Sequence, residues 1–136
     1  NAAMTEKVVT AIPQTTLEEA AEILLKHKIN ALPVVEEGKL VGIITTTDIL
    51  KVFLDVMGVS EEGSARIDLL LEKEGHTLTD ASKVITGEGG EILSLGTYRE
   101  KWRDSSVCYL RLRANDPDRL AELLKAEGFT VLGVHA

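Results

Sequence analysis

Thr45, Thr46 and Thr47 stand between the apolar run Leu40-Val41-Gly42-Ile43-Ile44 and the helical pattern that opens at Asp48-Ile49. Three hydroxyls and one carboxylate therefore meet the unpaired backbone N–H groups of a helix start. Those N–H groups and the positive end of the helix dipole attract phosphate. A carboxylate accepts well from two hydroxyls such as those of a ribose, and a threonine hydroxyl can donate to a phosphate oxygen. The chemistry suggested is the binding of a phosphorylated sugar. The same residues also suit a plain helix start, with Thr46 or Thr47 as N-cap and Asp48 complementing the dipole. Residues 42–48 include no lysine or arginine. Any phosphate charge must be met by backbone groups, by Lys7 or Lys39, or by a partner.

Other reactive side chains give weaker patterns. His27, His76 and His135 have no metal-ligand spacing and Cys108 is the only cysteine, so no metal site is expected and no intrachain disulfide can form. Cys108 falls in an apolar run without a nucleophile signature and is expected to be a buried structural thiol. Arg99, Lys101, Trp102 and Arg103 make a basic loop with one aromatic, which reads as a solvated hairpin connection, with base stacking or partner anchoring as the other possibility. No paired carboxylates, nucleophile with its base, or metal cluster stands at a recognisable spacing, so the chain is not expected to be an enzyme.

Composition narrows the partners. With 44% apolar and 27% charged residues in 136, the chain is expected to fold into one domain or two small ones. A formal charge of −7 supplies no basic field for nucleic acid, which is not expected as a partner. No apolar run reaches the roughly 18 to 20 residues needed to span a bilayer, so no membrane partner is expected. A single cysteine fits a reducing cytoplasm. The opening Asn1-Ala2-Ala3-Met4 resembles a tag remnant on residues 1–2 joined to an internal segment, so the chain is expected to be a piece of a longer protein.

The elements that must position the junction follow from periodicity. Residues 8–12 read as a strand, 13–16 as a turn and 17–26 as a helix with Leu17, Ala20, Ala21, Leu24 and Leu25 on its apolar face. Thr16 followed three residues later by Glu19 predicts a capping box. Strands over 31–35 and 40–44 flank a polar connection short enough for a hairpin. A helix over 47–57 carries Ile49, Val52, Phe53, Val56 and Met57 on one face and Leu50 and Leu54 beside it. A helix so apolar around its circumference needs neighbours on two sides, and a unit of this size offers one. The first half therefore expects a partner.

Residues 59–64, polar and glycine-containing, read as the linker between domains at 1–58 and 65–136. Beyond it, Ile67, Leu69 and Leu71 alternate on a strand over 65–72, and Thr77 caps a helix through 86 with Leu78, Ala81 and Ile85 inward. Strands over 92–99 and 106–113 follow, then a helix from Asp116-Pro117 with Leu120, Leu123 and Leu124 buried, then a strand over 129–134. The order βαββαβ predicts a split βαβ, ferredoxin-like arrangement with one sheet face covered by two helices and the other open. The fold class is α+β: a β-α-β-β-α unit followed by a ferredoxin-like domain.

The first half resembles a CBS motif, on Met4-Thr5, Val9-Thr10 before Pro13, Leu17-Glu18-Glu19-Ala20-Ala21, Leu32-Pro33-Val34-Val35 and Gly42-Ile43-Ile44-Thr45-Thr46-Thr47-Asp48-Ile49. Two such motifs pack into a Bateman module, which commonly binds adenosine-containing ligands. The resemblance implies that Asp48 binds the ribose hydroxyls, Thr45 contacts phosphate or ribose, and backbone groups of Thr10, Ala11 and Ile12 face the adenine. The implied ligand is AMP, ADP, ATP or S-adenosylmethionine, with no cofactor required. The second half looks like an ACT domain, on the strand over 67–72, the turn Glu74-Gly75-His76, and Leu78. This implies a possible amino-acid site at Gly75, His76 and Leu78. The order CBS then ACT resembles the C-terminal part of the acetoin-utilisation B type of regulatory protein, in which a second CBS motif lies upstream. The expectation is an allosteric sensor forming a homodimer through its CBS and ACT-like faces. An amino-acid sensor with the CBS part as scaffold, and an interaction module without a ligand, stand as rivals.

Overall fold

A computed structural model of the chain describes residues 8–72, 77–102 and 104–136. The chain divides into two compact units, Asn1–Phe53 and Leu54–Ala136. In the first, α1 (Leu17–His27) leads to strands β1 (Ala31–Glu36) and β2 (Lys39–Thr45), and α2 (Thr46–Val56) starts directly where β2 stops. Thr16 caps α1 as its sequence requires: the Glu19 N–H donates to the Thr16 hydroxyl at 3.2 Å and the Thr16 N–H donates to the Glu19 carboxylate at 3.3 Å. The hairpin is tighter than expected, because Glu36 and Lys39 pair across it. Only Glu37 and Gly38 turn, both at positive φ (50° and 77°), as a type I′ turn demands.

The expected strand over 8–12 reduces to one parallel bridge, Ala11 to Val34. Pro13 and the turn that closes from Thr15 back to Ile12 take the chain out of the sheet before a ladder can develop. Ala11, Ala20, Leu24 and Leu32 form the small core, with Ile23, Ile44 and Ile49 packed against it. Leu17 and Leu25 do not join it: Leu25 is 79% exposed. Helix α2 has no buried residue at all, and Phe53 is 53% exposed. Leu40, Val41 and Ile43 of β2 are exposed as well. At about 25 cal/mol per Å² such surfaces favour association.

The second unit contains β3 (Ser64–Leu71), α3 (Leu78–Gly87), β4 (Glu91–Arg99), β5 (Ser106–Arg113), α4 (Pro117–Ala126) and β6 (Thr130–His135). Its four strands form one sheet in the order β4-β5-β3-β6, antiparallel throughout. This is the split βαβ topology. Ile67 and Leu69 of β3 face Leu110 and Cys108 of β5, and with Leu112 they form a core closed by Ala81 and Ile85 of α3 and Leu120, Ala121 and Leu124 of α4. Ala121 takes the buried place expected of Leu123, since the i, i+1, i+4 set 120, 121, 124 faces the sheet.

The other sheet face carries Arg66 and Asp68 of β3, Tyr109 and Arg111 of β5 and His135 of β6, placed together by register. It is not left wholly open. Met57 and Gly58 reach it, where the Tyr109 hydroxyl donates to the Met57 carbonyl at 3.1 Å. A Cβ on Gly58 would lie 3.0 Å from the Arg111 Cγ.

Candidate functional site

The junction predicted to bind a sugar phosphate is built by an abrupt change from strand to helix. Thr45 ends β2 and Thr46 begins α2, so the first helical N–H groups emerge at the sheet margin. The Thr46 N–H donates to the Asn30 carbonyl at 3.0 Å, and its hydroxyl reaches the same oxygen at 3.4 Å. Thr46 is therefore a tie to the α1–β1 connection and not the cap. Thr47 is exposed on the first turn. The capping group is Thr45: the Asp48 N–H donates to its hydroxyl at 3.1 Å, and the Thr45 N–H donates to the Asp48 Oδ2 at 2.9 Å. The box motif needs Thr followed by an acid three residues later, and of the three threonines only Thr45 stands at that distance from Asp48.

This pairing fixes the charge of the site. The Thr45 backbone N–H, then its hydroxyl, hold the Asp48 carboxyl below the ordinary carboxylate range, and Lys51 adds a smaller pull in the same direction. Asp48 is thus an exposed, ionised acceptor fixed at a helix start. Lys39 cannot supply the phosphate counter-charge. It opens β2 at the hairpin, six residues from Thr45, which is about 20 Å along an extended strand. Lys7 lies outside the described residues.

The expected adenine-facing segment lies at the edge of β1 away from β2. The Ala11 N–H donates to the Pro33 carbonyl and the Val35 N–H donates to the Ala11 carbonyl, both at 2.8 Å, so the Ala11 peptide groups belong to the sheet. Strand alternation turns the peptide groups of Thr10 and Ile12 to the opposite side. The Ile12 N–H donates to the Thr15 hydroxyl at 3.0 Å. Thr10 is exposed. A groove of roughly 450 Å³ does lie in this unit, between α1 and α2, lined by Ala21, Leu24, Leu25, Lys28, Ile29, Asn30, Thr46, Ile49 and Leu50. None of the predicted nucleotide residues lines it, and its apolar wall suits aliphatic side chains.

The second candidate set is only partly described: Gly75 and His76 lie outside the described residues. Leu78 opens α3 and packs on the core of its unit. Thr77 and Asp80 form a capping box at the start of that helix. Among the described residues no three His, Cys, Asp or Glu side chains come together as metal ligands. No helix among the described residues is long and apolar enough to cross a membrane. Trp102 is 82% exposed in the β4–β5 connection, whose Arg103 lies outside the described residues.

Sequence reasoning missed the polar cluster on the sheet face turned away from α3 and α4. Arg66 grips Asp68 with two bonds of 2.8 and 2.9 Å, Asp68 is 9% exposed, and the Arg66 guanidinium stacks 4.7 Å from the Tyr109 ring centre. Arg111 Nε donates to the Tyr109 hydroxyl at 3.0 Å. The signal was present: Arg66 and Asp68 alternate with Ile67 and Leu69, and Tyr109 and Arg111 alternate with Leu110 and Leu112.

Comparison with known proteins places the first unit. Over 80 residues, 58% of the chain, the sequence is 36% identical to the uncharacterised protein MJ0450 of Methanocaldococcus jannaschii, and the match spans 43% of that protein. Over 47 residues, 35% of the chain, it is 57% identical to inosine-5'-monophosphate dehydrogenase of Staphylococcus aureus, and that match spans 10% of the enzyme. Both matched stretches are thus less than half of the relatives' own lengths. The family model for the CBS domain matches residues 1–55, so this part of the chain is a CBS domain.

Proposed function

We propose that the chain is a non-enzymatic regulatory module whose CBS domain senses an adenine nucleotide as half of a paired, Bateman-type site. The observation that carries this reading is the Thr45–Asp48 box. It presents an ionised, exposed carboxylate in fixed geometry at a helix start, which is the arrangement a ribose diol requires. CBS domains are typically regulatory and nucleotide-sensing, and residues 1–55 are one. The exposed apolar surface of α2 and β2 supports pairing with a second CBS motif, here supplied by a second copy of the chain. In this reading the βαββαβ unit is an ACT-like domain that adds dimerisation and carries the effector role. Ligand binding across the pair favours one arrangement of the two copies, and that population shift is the signal.

Calorimetric titration with AMP, ATP, S-adenosylmethionine and a panel of amino acids tests the proposal. Heat with an adenosine compound that disappears in Asp48→Ala supports it. Heat only with an amino acid, retained in Asp48→Ala, replaces it with sensing through the second unit.

A further inference from the structure

Helix α2 ends in a motif whose last carbonyl, that of Met57, is bonded by a hydroxyl from the sheet of the second unit. The Gly58 N–H donates to the Asp55 carbonyl and the Val59 N–H donates to the Leu54 carbonyl, at 3.0 and 3.1 Å, with Gly58 at φ 74°. This is a Schellman ending, in which Met57 is the C-cap and Gly58 the left-handed residue beyond it. Its geometry leaves the Met57 carbonyl pointing out of the helix, and the carbonyls of a last turn need outside donors. The Tyr109 hydroxyl, from the middle of β5, is that donor. The ring itself is 5% exposed, roofed by Arg66, and its hydroxyl accepts in turn from Arg111. Gly58 is doubly constrained, by its positive φ and by the Arg111 Cγ at 3.0 Å from any Cβ.

Both ends of α2 are thus fixed by side chains, the first by Thr45 and Asp48 and the last by Tyr109. Residues 46–53 of this helix belong to the first unit and 54–56 to the second. We propose that Tyr109 is a clasp on the C-cap of α2, through which occupancy of the Asp48 site is transmitted to the sheet of the second unit. A ligand that tightens the Asp48 end orders the whole helix, because helical turns form cooperatively, and the ordered last turn presents the Met57 carbonyl to Tyr109. Loss of the hydroxyl removes the coupling in both directions. This inference rests on the nucleotide reading for its ligand, although the clasp itself does not.

Amide hydrogen exchange at Gly58 and Val59, with and without saturating AMP, tests it in the whole chain, with calorimetry run in parallel. Tyr109→Phe removes the hydroxyl and keeps the ring. Gly58→Ala disturbs the same clasp from the other side, as an independent variant. Without ligand, both variants are expected to exchange several-fold faster at Val59 than the parent, while the amides of Thr46 and Thr47 are unchanged. With AMP, the parent is expected to slow several-fold at Gly58 and Val59, and Tyr109→Phe is expected to show no such slowing and to bind AMP more weakly by a similar several-fold factor, because the coupling is reciprocal. AMP binding with no change at these amides in the parent, or with the same change in Tyr109→Phe, overturns the relay and leaves the nucleotide reading intact. If AMP gives no heat, the nucleotide reading falls with the relay, and equal ligand-free exchange in parent and Tyr109→Phe overturns the clasp as well.

Discussion

Thr45 and Asp48 satisfy each other's backbone: each side chain accepts from the other's N–H, at 3.1 and 2.9 Å. The two residues expected to hold a ligand are therefore also the start of α2. Their substitution must be read in two measurements. Thr45→Ala is expected to lower stability by about 1 kcal/mol, the usual cost of an N-cap. A chemical denaturation curve without ligand shows it. Asp48→Asn keeps an acceptor for the Thr45 N–H and removes the charge, so the fold is expected to persist while AMP affinity falls by about tenfold or more, the scale of one charged hydrogen bond. Equal affinity in parent and Asp48→Asn removes Asp48 from the site.

The box also predicts an acid dependence. Asp48 has its carboxyl below the ordinary value of 3.8, first through the Thr45 N–H and then through the Thr45 hydroxyl. A carboxyl depressed in the folded state contributes stability that is full above the unfolded value and is lost as pH falls through the folded one. Between pH 5 and pH 2, Asp48→Asn is expected to flatten part of the decline in stability seen in the parent. Identical acid profiles show that the box opens in solution.

Phe53 and Leu50 test the pairing. Both are exposed on α2, in a unit whose buried core, among the described residues, is four side chains. Phe53→Glu introduces a charge into any apolar interface formed there and is expected to shift sedimentation from dimer to monomer at micromolar concentration while circular dichroism stays unchanged. A parent chain that sediments as a monomer at that concentration rejects the paired site.

What the sequence made legible and what it hid have separate physical causes. The capping box at Thr16, the N-cap at Thr77, the alternation of β3, and the hairpin around Gly38 are local signals, and each stands where its pattern put it. The Thr45 cap was misassigned to its neighbours because three adjacent threonines share one composition. Only the three-residue spacing to the acid distinguishes them. The Tyr109–Met57 bond joins residues 52 apart, so no local pattern carries it. Leu25 was assigned inward by helical period, but the core of this unit is too small to reach it.

Gly90 tests the packing of the second unit. A Cβ there would stand 2.9 Å from both the Ile85 carbonyl oxygen and its Cγ2, at the end of α3 where the Gly90 N–H donates to that same carbonyl at 2.9 Å. Neither atom can withdraw freely, because Ile85 is fully buried. Gly90→Ala is expected to destabilise by about 1 to 3 kcal/mol, as overpacked sites do. The effect should appear in the unfolding of the second unit and leave exchange at the first turn of α2 untouched.

Cys108 offers the last prediction, a chemical probe of the same core. It is fully buried between α3 and α4 on β5, and burial pushes its thiol up to about 11, with a smaller push from Asp68. The thiolate is the reacting species, so at pH 8 a thiol reagent meets neither access nor ionisation in the folded chain. Labelling is expected to follow global unfolding and to be slowed by anything that stabilises the second unit. The pH dependence runs opposite to that of Asp48: an acid raised in the folded state destabilises as pH rises past its unfolded value, because the unfolded thiol loses its proton first. Stability should therefore fall between about pH 9 and pH 11 in the parent, and Cys108→Ser, which carries no thiol, should lose that part of the decline. Rapid labelling at pH 8 in the absence of denaturant would show that β5 opens without unfolding of the unit, and the clasp made by its neighbour Tyr109 would then have to be judged on that opened state.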